Sequence, residues 1–387
     1  MIKGFKKNRI YMDHASAAPL DSKVFVCMQE FLTSEYANPS ALHEGGVVAK
    51  KAIDKSRKII AKLIGAREDE IVFTSSGTES NNLAILGLKN TQIISTNIEH
   101  PSVLEPVKIQ NHKFITVENN GIVLPSKIKD AITKKTTLVT IVYANNEIGT
   151  IQPIQEIVKA IRVKRKQFNT KTPYIHIDST QAVNYLNINV EKLGIDLMTF
   201  NGSKIYGPKG VGVLYKRKNI KLNPLMYGGA QEYGLRPGTE NVAGIVGIAK
   251  ALEIVEKIKN KESGRLEKLR NYFLKKLRSI DYKIIINGDL VNRLPNNINI
   301  SIEGIESDVL VLELNERGVE VSAKSACEKD VEGSYVIEAI RPGASHKGGS
   351  IRFSLGRSST KNDVDYVIKV LKEILEKYKE FKTLLKI

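Results

Sequence analysis

Residues 70–89 read EIVFTSSGTESNNLAILGLK, and they contain a complete passage from strand to helix. The apolar run at the start is typical of a buried strand, the small residues after it predict a turn, and the rest has helical spacing. Gly77 and Thr78 open the helix. Backbone N–H groups and the helix dipole favour an anion there, so the stretch predicts a phosphate seat. An ordinary helix cap by Ser76 or Thr78 is the alternative.

Apolar runs rich in Val and Ile recur as far as residue 215, and segments of helical spacing separate them. Near-continuous hydrophobicity is typical of strands that are buried on both faces, as in a parallel sheet. The alternation predicts an α/β domain with crossover helices. Strands are predicted at 70–75, 92–97, 137–145, 174–178, 197–200 and 211–215, and helices at 78–89, 126–135 and 154–168.

The pattern changes near residue 241, and the remainder predicts a smaller α+β domain. We expect a large α/β domain over 15–258, and a small domain made of 1–14 and 259–387. The elements predicted here are helices at 241–280, 306–317 and 361–384 and strands at 282–287, 296–302 and 350–355.

Composition and the lengths of the apolar runs indicate a soluble protein rather than a membrane or secreted one. A hydrophobic content of 42% and a charged content of 26% describe an ordinary soluble protein. No run approaches the roughly 18 apolar residues of a membrane span, and the basic N-terminus lacks the apolar core of a signal peptide. We therefore expect a cytoplasmic protein without direct membrane contact.

The formal net charge is +17, which favours anionic partners. The denser basic patches, such as RVKRKQ at 162–167, have no interleaved aromatic residues, and no RNA-binding motif is evident. We therefore do not expect direct nucleic-acid binding. Two cysteines, Cys27 and Cys327, are too few for a zinc or iron–sulfur site by themselves, so no metal is expected.

The stretch IHIDSTQ at 175–181 ends a predicted buried strand with Asp178. A buried carboxylate is costly unless it has a polar or cationic partner. Asp178 could bind a metal, act as a catalytic acid, pair with a protonated heterocycle, or simply cap a helix.

The stretch TFNGSKIYGPKG at 199–210 has nearly the spacing of a nucleotide-binding P-loop, but Pro208 stands where that motif requires lysine. Lys204 lies inside the loop instead. A lysine beside a cavity can act as an imine-forming nucleophile, whereas a solvated loop lysine is the alternative.

The order of these features favours one class of cofactor. A phosphate seat at Gly77 and Thr78 is followed by Asp178 after a strand, and Lys204 follows 26 residues later. A pyridoxal phosphate enzyme needs a helix start for the phosphate, an acid for the pyridinium nitrogen and a lysine for the aldehyde.

The chain resembles the cysteine desulfurases of the class V, fold-type I aminotransferase superfamily over nearly its whole length. The resemblance implies a fold-type I α/β architecture, with a large mainly parallel sheet between helices and a smaller C-terminal domain. The matching segments, in order, are YMDHASAAP, NPSALHEGG, FTSSGTESNN, IEHPSV, YANNEIGTIQPI, HIDSTQ, NGSKIYGPKG, GGAQEYGLRPGTEN, SACE and IRFSLGR.

The resemblance also implies a role for each matching residue. Lys204 would hold the cofactor aldehyde, Asp178 would pair with the ring nitrogen, and His100 would stack on the ring and assist proton transfer. Cys327 would attack the sulfur of the substrate. Further residues implied at the cofactor are Gly77, Thr78, Asn146, Gln181, Asn201, Ser203 and, from a second subunit, Thr239; those implied at the substrate are Asn38 and Arg352.

The implied reaction converts L-cysteine to L-alanine and leaves a persulfide on Cys327. A sulfur-acceptor protein, such as an iron–sulfur scaffold or a tRNA-thiolation enzyme, would then take the sulfur from a homodimeric enzyme. A selenocysteine lyase or another class V aminotransferase is the alternative, and a non-catalytic sulfur-carrier scaffold is a third. Ser203, which stands where the family usually has histidine, departs from the pattern, and so does the run His14-Ala15-Ser16.

Overall fold

The structure of the protein is a computed structural model that describes residues 9–89, 92–323, 333–343 and 348–385, without the side chains of 348 and 381–385. The strands are β1 (Ile10–Tyr11), β2 (Ile71–Thr74), β3 (Gln92–Thr96), β4 (Asn111–Ile115), β5 (Thr136–Val142), β6 (Tyr174–Asp178), β7 (Leu197–Asn201), β8 (Gly212–Lys216), β9 (Ile284–Ile286), β10 (Asn297–Glu303), β11 (Val319–Glu320) and β12 (Gly348–Ser354).

The helices follow the same chain order, and all those expected from the sequence are present. They are α1 (Ser22–Thr33), α2 (Glu44–Ile64), α3 (Gly77–Leu86), α4 (Pro101–Lys108), α5 (Pro125–Ala131), α6 (Ile154–Phe168), α7 (Val190–Leu193), α8 (Val242–Leu277), α9 (Ser307–Glu316), α10 (Tyr335–Ile340) and α11 (Lys361–Leu385).

Seven strands form a central sheet in the order β2-β8-β7-β6-β5-β3-β4. All of them run parallel except β8, which is antiparallel to both of its neighbours. The reason is the connection from β7 to β8, residues 202–211, which contains only a short 3₁₀ turn and no crossover helix. A parallel pairing needs a crossover of about a dozen residues or more, so the chain turns back instead.

Helices cover both faces of this sheet. Successive strand residues point to opposite faces, so Ile71 and Phe73 contribute to one core and Val72 to the other. The larger core includes residues of α2, α6 and α8, and the smaller core includes residues of α3 and α4. The mainly parallel α/β class predicted from the sequence is confirmed.

The polar edge strand β4 was not among the predicted strands. Its first three residues, Asn111 to Lys113, are exposed, so it lacks the continuous apolar run that marked the other strands. It pairs in parallel with β3 at the end of the sheet, where only one ladder of backbone hydrogen bonds is formed. The strand β11 and the helices α1, α2, α4, α7 and α10 were not predicted either.

A second core lies among the C-terminal elements. The antiparallel sheet β12-β10-β9 packs with α9 and α11, and β1 pairs with β11. The 36-residue helix α8 takes part in both cores: Val255 lies in the first and Leu266 in the second. The domain boundaries at 14/15 and 258/259 stay a prediction, and the second of them falls inside this helix.

A buried ion pair fixes the segment that follows β8. The two terminal nitrogens of the Arg57 guanidinium, on α2, donate to Glu232 at 3.0 and 2.6 Å, and the Phe73 N–H donates to the same carboxylate at 2.8 Å. The side chains of Arg57 and Glu232 are only 7% and 2% exposed. Glu232 has a backbone φ of 47°, an uncommon left-handed conformation for a residue with a side chain. The ion pair therefore supports the conformation of the segment around residue 232.

We expect Glu232→Gln to lower the free energy of unfolding by about 3 kcal/mol, because it leaves the buried Arg57 charge uncompensated. Urea unfolding followed by circular dichroism measures this loss. The matched control is Glu191→Gln, which removes a carboxylate bonded to Arg217 at 2.9 Å but 61% exposed. That control should stay within about 1 kcal/mol of the wild type. Equal losses in the two variants would contradict the assignment.

Candidate active site

A cavity of about 190 Å³ lies beside the carboxyl ends of the parallel strands. Open α/β sheets place ligands at this edge because the loops that follow the strands converge there. The cavity is lined by Ala15, Ser16, Gly77, Thr78, Asn81, His100, Ser102, Val142, Asn146, Asp178, Thr180, Gln181, Asn201, Lys204 and Arg352.

Asp178 is the last residue of β6 and is 5% exposed. One carboxylate oxygen accepts from the Asn81 side chain at 2.9 Å, and the other accepts from the Thr180 N–H at 2.9 Å. These neutral donors hold the carboxylate in place without neutralising its charge. A negative charge held against the cavity wall suits a protonated ring nitrogen.

Asn81 was not predicted from the sequence as a site residue. It lies four residues after Gly77 on α3, so both residues are on one face of the helix. Its side-chain amide donates to Asp178 and also to the Ser102 hydroxyl at 2.8 Å. The helical period from the predicted phosphate seat was the signal that could have identified it.

His100 caps the N-terminus of α4. Its Nδ1 accepts the Ser102 N–H at 3.1 Å and lies 2.8 Å from the Ser102 hydroxyl. Nδ1 is therefore an acceptor, and the neutral ring carries its proton on Nε2. Burial lowers the pKa of His100, and the charges of Lys204 and Arg352 lower it further while Asp178 opposes them. The imidazole is neutral at neutral pH.

The start of α3 forms part of the cavity wall. Ser76 caps the helix by accepting the Glu79 N–H at 3.1 Å. The N–H groups of Gly77 and Thr78, the first two residues of α3, have no acceptor within the helix, and the dipole adds positive potential. A Cβ atom at Gly77 would lie 2.9 Å from the Asn201 side-chain nitrogen, so glycine keeps the start of the helix uncrowded beside Asn201.

Lys204 ends a 3₁₀ turn, Gly202–Lys204, directly after β7. Its ammonium group donates to the Ser16 carbonyl oxygen. A Cβ atom at Gly202 would lie 2.4 Å from the Pro208 carbonyl oxygen, so glycine is required for the tight loop. The loop returns directly into β8 and starts no α-helix, which rules out the P-loop hypothesis.

Arg352 comes from β12, in the C-terminal core, and its side chain is 2% exposed. One Nη donates to the Asn146 carbonyl oxygen at 3.0 Å, and the other donates to Asp13 at 2.8 Å. Gln181 donates to the Ala15 carbonyl oxygen at 2.9 Å. The C-terminal core and the N-terminal segment therefore close the cavity over the sheet.

Three predicted site residues do not line this cavity. Asn38 and Thr239 are exposed and do not line this cavity. Ser203 donates to the Asn201 side chain at 3.2 Å and lines a neighbouring, more open cavity of about 320 Å³. Cys327 lies outside the described residues. The roles assigned to these residues stay predictions.

A fully buried carboxyl group lies next to His100. Glu99 accepts from the Thr96 hydroxyl at 2.6 Å, and the Tyr335 hydroxyl donates to the Glu99 backbone carbonyl. Its second carboxyl oxygen has no hydrogen-bond partner among the described residues. Burial raises the pKa of Glu99 to about 8. The group is therefore largely protonated at neutral pH, and it adds no negative charge behind His100.

Comparison with known proteins gives a consistent result. The aminotransferase class-V family model matches residues 10–367. The cysteine desulfurase IscS of Dictyoglomus turgidum is 43% identical over 96% of this chain and 95% of its own. A solved NifS-like protein is 34% identical, with a TM-score of 0.87, over 95% of this chain and 99% of its own. The structure of SspA in complex with cysteine is 31% identical, with a TM-score of 0.76, over 89% of this chain and 98% of its own.

We expect Glu99→Gln to change how stability depends on pH. An unfolded glutamate releases its proton near pH 4.3, whereas the folded protein holds the Glu99 proton up to about pH 8. Between these two pH values the unfolded chain releases the Glu99 proton and the folded protein keeps it. The free energy of unfolding of the wild type therefore falls as the pH rises through this range. Glutamine cannot titrate, and it resembles the protonated acid in shape.

The measurement is urea unfolding of both proteins at about pH 5 and about pH 8. The free energy of unfolding of Glu99→Gln should rise relative to that of the wild type as the pH increases. Glu105→Gln, an exposed glutamate on α4, is the control and should show no such relative change. A constant difference between Glu99→Gln and the wild type would contradict a raised pKa for Glu99.

Proposed function

We propose that this chain, which belongs to the cysteine desulfurases of the class-V aminotransferase family, collects the sulfur of L-cysteine as a persulfide on Cys327. Its family is pyridoxal phosphate-dependent. The observation that carries the proposal is the convergence of Lys204, Asp178, His100 and Arg352 on one cavity. These residues come from distant parts of the chain and supply an amine, an anion, a neutral imidazole and a guanidinium.

The cavity fits pyridoxal phosphate. The phosphate would be held by the helix start at Gly77 and Thr78, where a Cβ atom on residue 77 would crowd the Asn201 side chain. Asp178, already fixed by two donors, would face the ring nitrogen, and Lys204 would hold the aldehyde. Further cofactor contacts are proposed for Asn146, Gln181, Asn201 and Ser203. When bound, the cofactor withdraws electrons from the substrate carbon atoms.

The remaining chemistry belongs to the chain itself. Arg352 would bind the substrate carboxylate, for which a guanidinium is suited in shape and charge. The neutral His100, with its proton on Nε2, would give or take a proton at the substrate. A thiolate at Cys327 would take the sulfur atom, and Asn38 would approach the substrate.

The overall reaction is balanced without a further oxidant or reductant. The carbon–sulfur bond of cysteine breaks, a sulfur–sulfur bond forms at Cys327, and the β carbon of the substrate gains a proton. The products are L-alanine and the Cys327 persulfide. An acceptor protein, such as an iron–sulfur scaffold or a tRNA-thiolation enzyme, would then remove the sulfur. A reducing compartment such as the cytoplasm keeps the thiol available between turnovers.

Two observations support a homodimer. Thr239 is exposed, away from the cavity of its own chain, so a second subunit would have to bring it to a phosphate. Apolar side chains are exposed on α1 and in the segment before Thr239, including Val26 at 66% and Tyr227 at 89%. Such side chains are suited to burial against a second copy of the chain.

None of the helices in the described ranges has the length and apolar character needed to cross a membrane.

The purified protein, loaded with pyridoxal phosphate and given L-cysteine, should release alanine and gain the mass of one sulfur atom. Peptide mass spectrometry should locate that sulfur on Cys327. Cys327→Ala should retain the cofactor but form no persulfide, whereas Cys27→Ala, the matched control, should behave as the wild type. A loaded wild type that releases no alanine would refute the proposal. Unchanged turnover in Cys327→Ala would instead favour another class V reaction.

A dimer with shared sites makes a separate prediction about mixed subunits. Lys204→Ala and Thr239→Ala disable different parts of the same site, so a mixed dimer contains one site with neither substitution. Random exchange of equal amounts of the two inactive or weakened variants makes about half of the dimers mixed, so activity should rise toward about a quarter of the wild-type level. Sedimentation should show a dimer throughout. A fully active monomer would contradict the shared site.

A further inference from the structure

The N-terminal segment 13–16 contacts both Lys204, which the proposed function assigns to the cofactor aldehyde, and Arg352, which it assigns to the substrate carboxylate. The Ser16 carbonyl oxygen accepts from the Lys204 ammonium group. The side chains of Asp13 and Ser16 both accept from one nitrogen of Arg352, at 2.8 and 2.6 Å. These contacts join β12 to the loop after β7 through a third part of the chain.

We propose that Asp13 and Ser16 are positioning residues that orient the Arg352 guanidinium for the substrate carboxylate. The inference rests on the proposed function of Arg352 as the carboxylate-binding residue. Neither Asp13 nor Ser16 was among the site residues predicted from the sequence. Their effect on the substrate acts through Arg352.

The hydrogen bonds of Arg352 account for its orientation. A guanidinium has five N–H donors in a rigid plane. Both donors of Nη2 are directed to Asp13 and Ser16, and one donor of Nη1 is directed to the Asn146 carbonyl oxygen at 3.0 Å. Nε is buried and has no partner among the described residues. Three fixed contacts therefore determine the plane of the group and leave the Nε donor and one Nη1 donor.

Asp13 is itself held in place. The Ser16 hydroxyl donates to its Oδ1 at 2.9 Å, and the Ser322 hydroxyl donates to its Oδ2 at 3.4 Å. The Asp13 side chain is 17% exposed and that of Arg352 is 2% exposed, so solvent screens the pair weakly. A carboxylate fixed in this way compensates the buried guanidinium and also limits its rotation.

The same ion pair could have the opposite effect, because Asp13 could compete with the substrate carboxylate for Arg352. The two effects predict opposite results. If Asp13 positions Arg352, removing its charge weakens substrate binding. If Asp13 competes, removing its charge strengthens it. The rigid support of Asp13 by Ser16 and Ser322 favours positioning.

The test compares Asp13→Asn with the wild-type holoenzyme, using L-cysteine and cysteamine, which lacks the carboxylate. Binding of each compound is followed by the change in visible absorbance of the holoenzyme, and KM and kcat are measured for L-cysteine. We expect KM and the dissociation constant for L-cysteine to rise roughly tenfold or more, from misplacement of Arg352. The kcat should change less, and cysteamine binding should stay the same.

Asp21→Asn is the matched control. Asp21 forms an ion pair of the same kind with Arg357, also at 2.8 Å, and its side chain is 19% exposed. Asparagine can still accept the Lys23 N–H that Asp21 binds at the start of α1. This variant should therefore bind L-cysteine as the wild type does. Ser16→Ala is the second test variant, in case Asp13→Asn does not fold, and it should weaken L-cysteine binding selectively but to a smaller extent.

Three results would overturn the inference. L-cysteine binding could strengthen in Asp13→Asn, which would make Asp13 a competitor. Binding of L-cysteine and cysteamine could weaken equally, which would mean a general structural role. Binding could also be unchanged in both Asp13→Asn and Ser16→Ala. A wild type that releases no alanine would refute the proposed function instead, so the two failures can be distinguished.

Discussion

The Glu147 carbonyl oxygen accepts hydrogen bonds from the side chains of Asn297 and Asn299, at 2.9 and 3.2 Å. Glu147 follows β5 of the central sheet, and both asparagines lie on β10 of the C-terminal sheet. The Ser334 hydroxyl donates to the Glu147 carboxylate at 2.6 Å. These buried contacts hold the two cores together. Together with α8, which takes part in both cores, they help to fix Arg352 on β12 relative to Asp178 and Lys204.

The charged groups of the site follow one physical rule. A buried charge is costly unless hydrogen bonds or an opposite charge compensate it. Asp178 has two neutral donors, Arg352 has the Asp13 carboxylate, and Glu99 avoids the cost by keeping its proton. Among the residues that line it, the cavity therefore has the Asp178 anion, the Lys204 and Arg352 cations and the neutral His100 imidazole in fixed positions.

Local patterns predicted most elements of the fold because the central strands are buried on both faces. The strand β4 was not predicted, because its exposed polar residues resemble those of a loop. The direction of β8 was not readable from its apolar run, because parallel and antiparallel strands of the interior look alike in sequence. That direction depends on the length of the connection after β7, and on the absence of a crossover helix in it.

By itself the sequence determined the central strands, the helix start at Gly77 and the order of Asp178 and Lys204, because these depend on local spacing and on chemistry at strand ends. Only the tertiary structure decided which groups surround them. Asn81 and Ser102 support Asp178 and His100, and Asp13 supports Arg352, from which it is separated by 339 positions along the chain. Such partners are set by strand order and by the packing of the two cores. No short stretch of sequence contains that information.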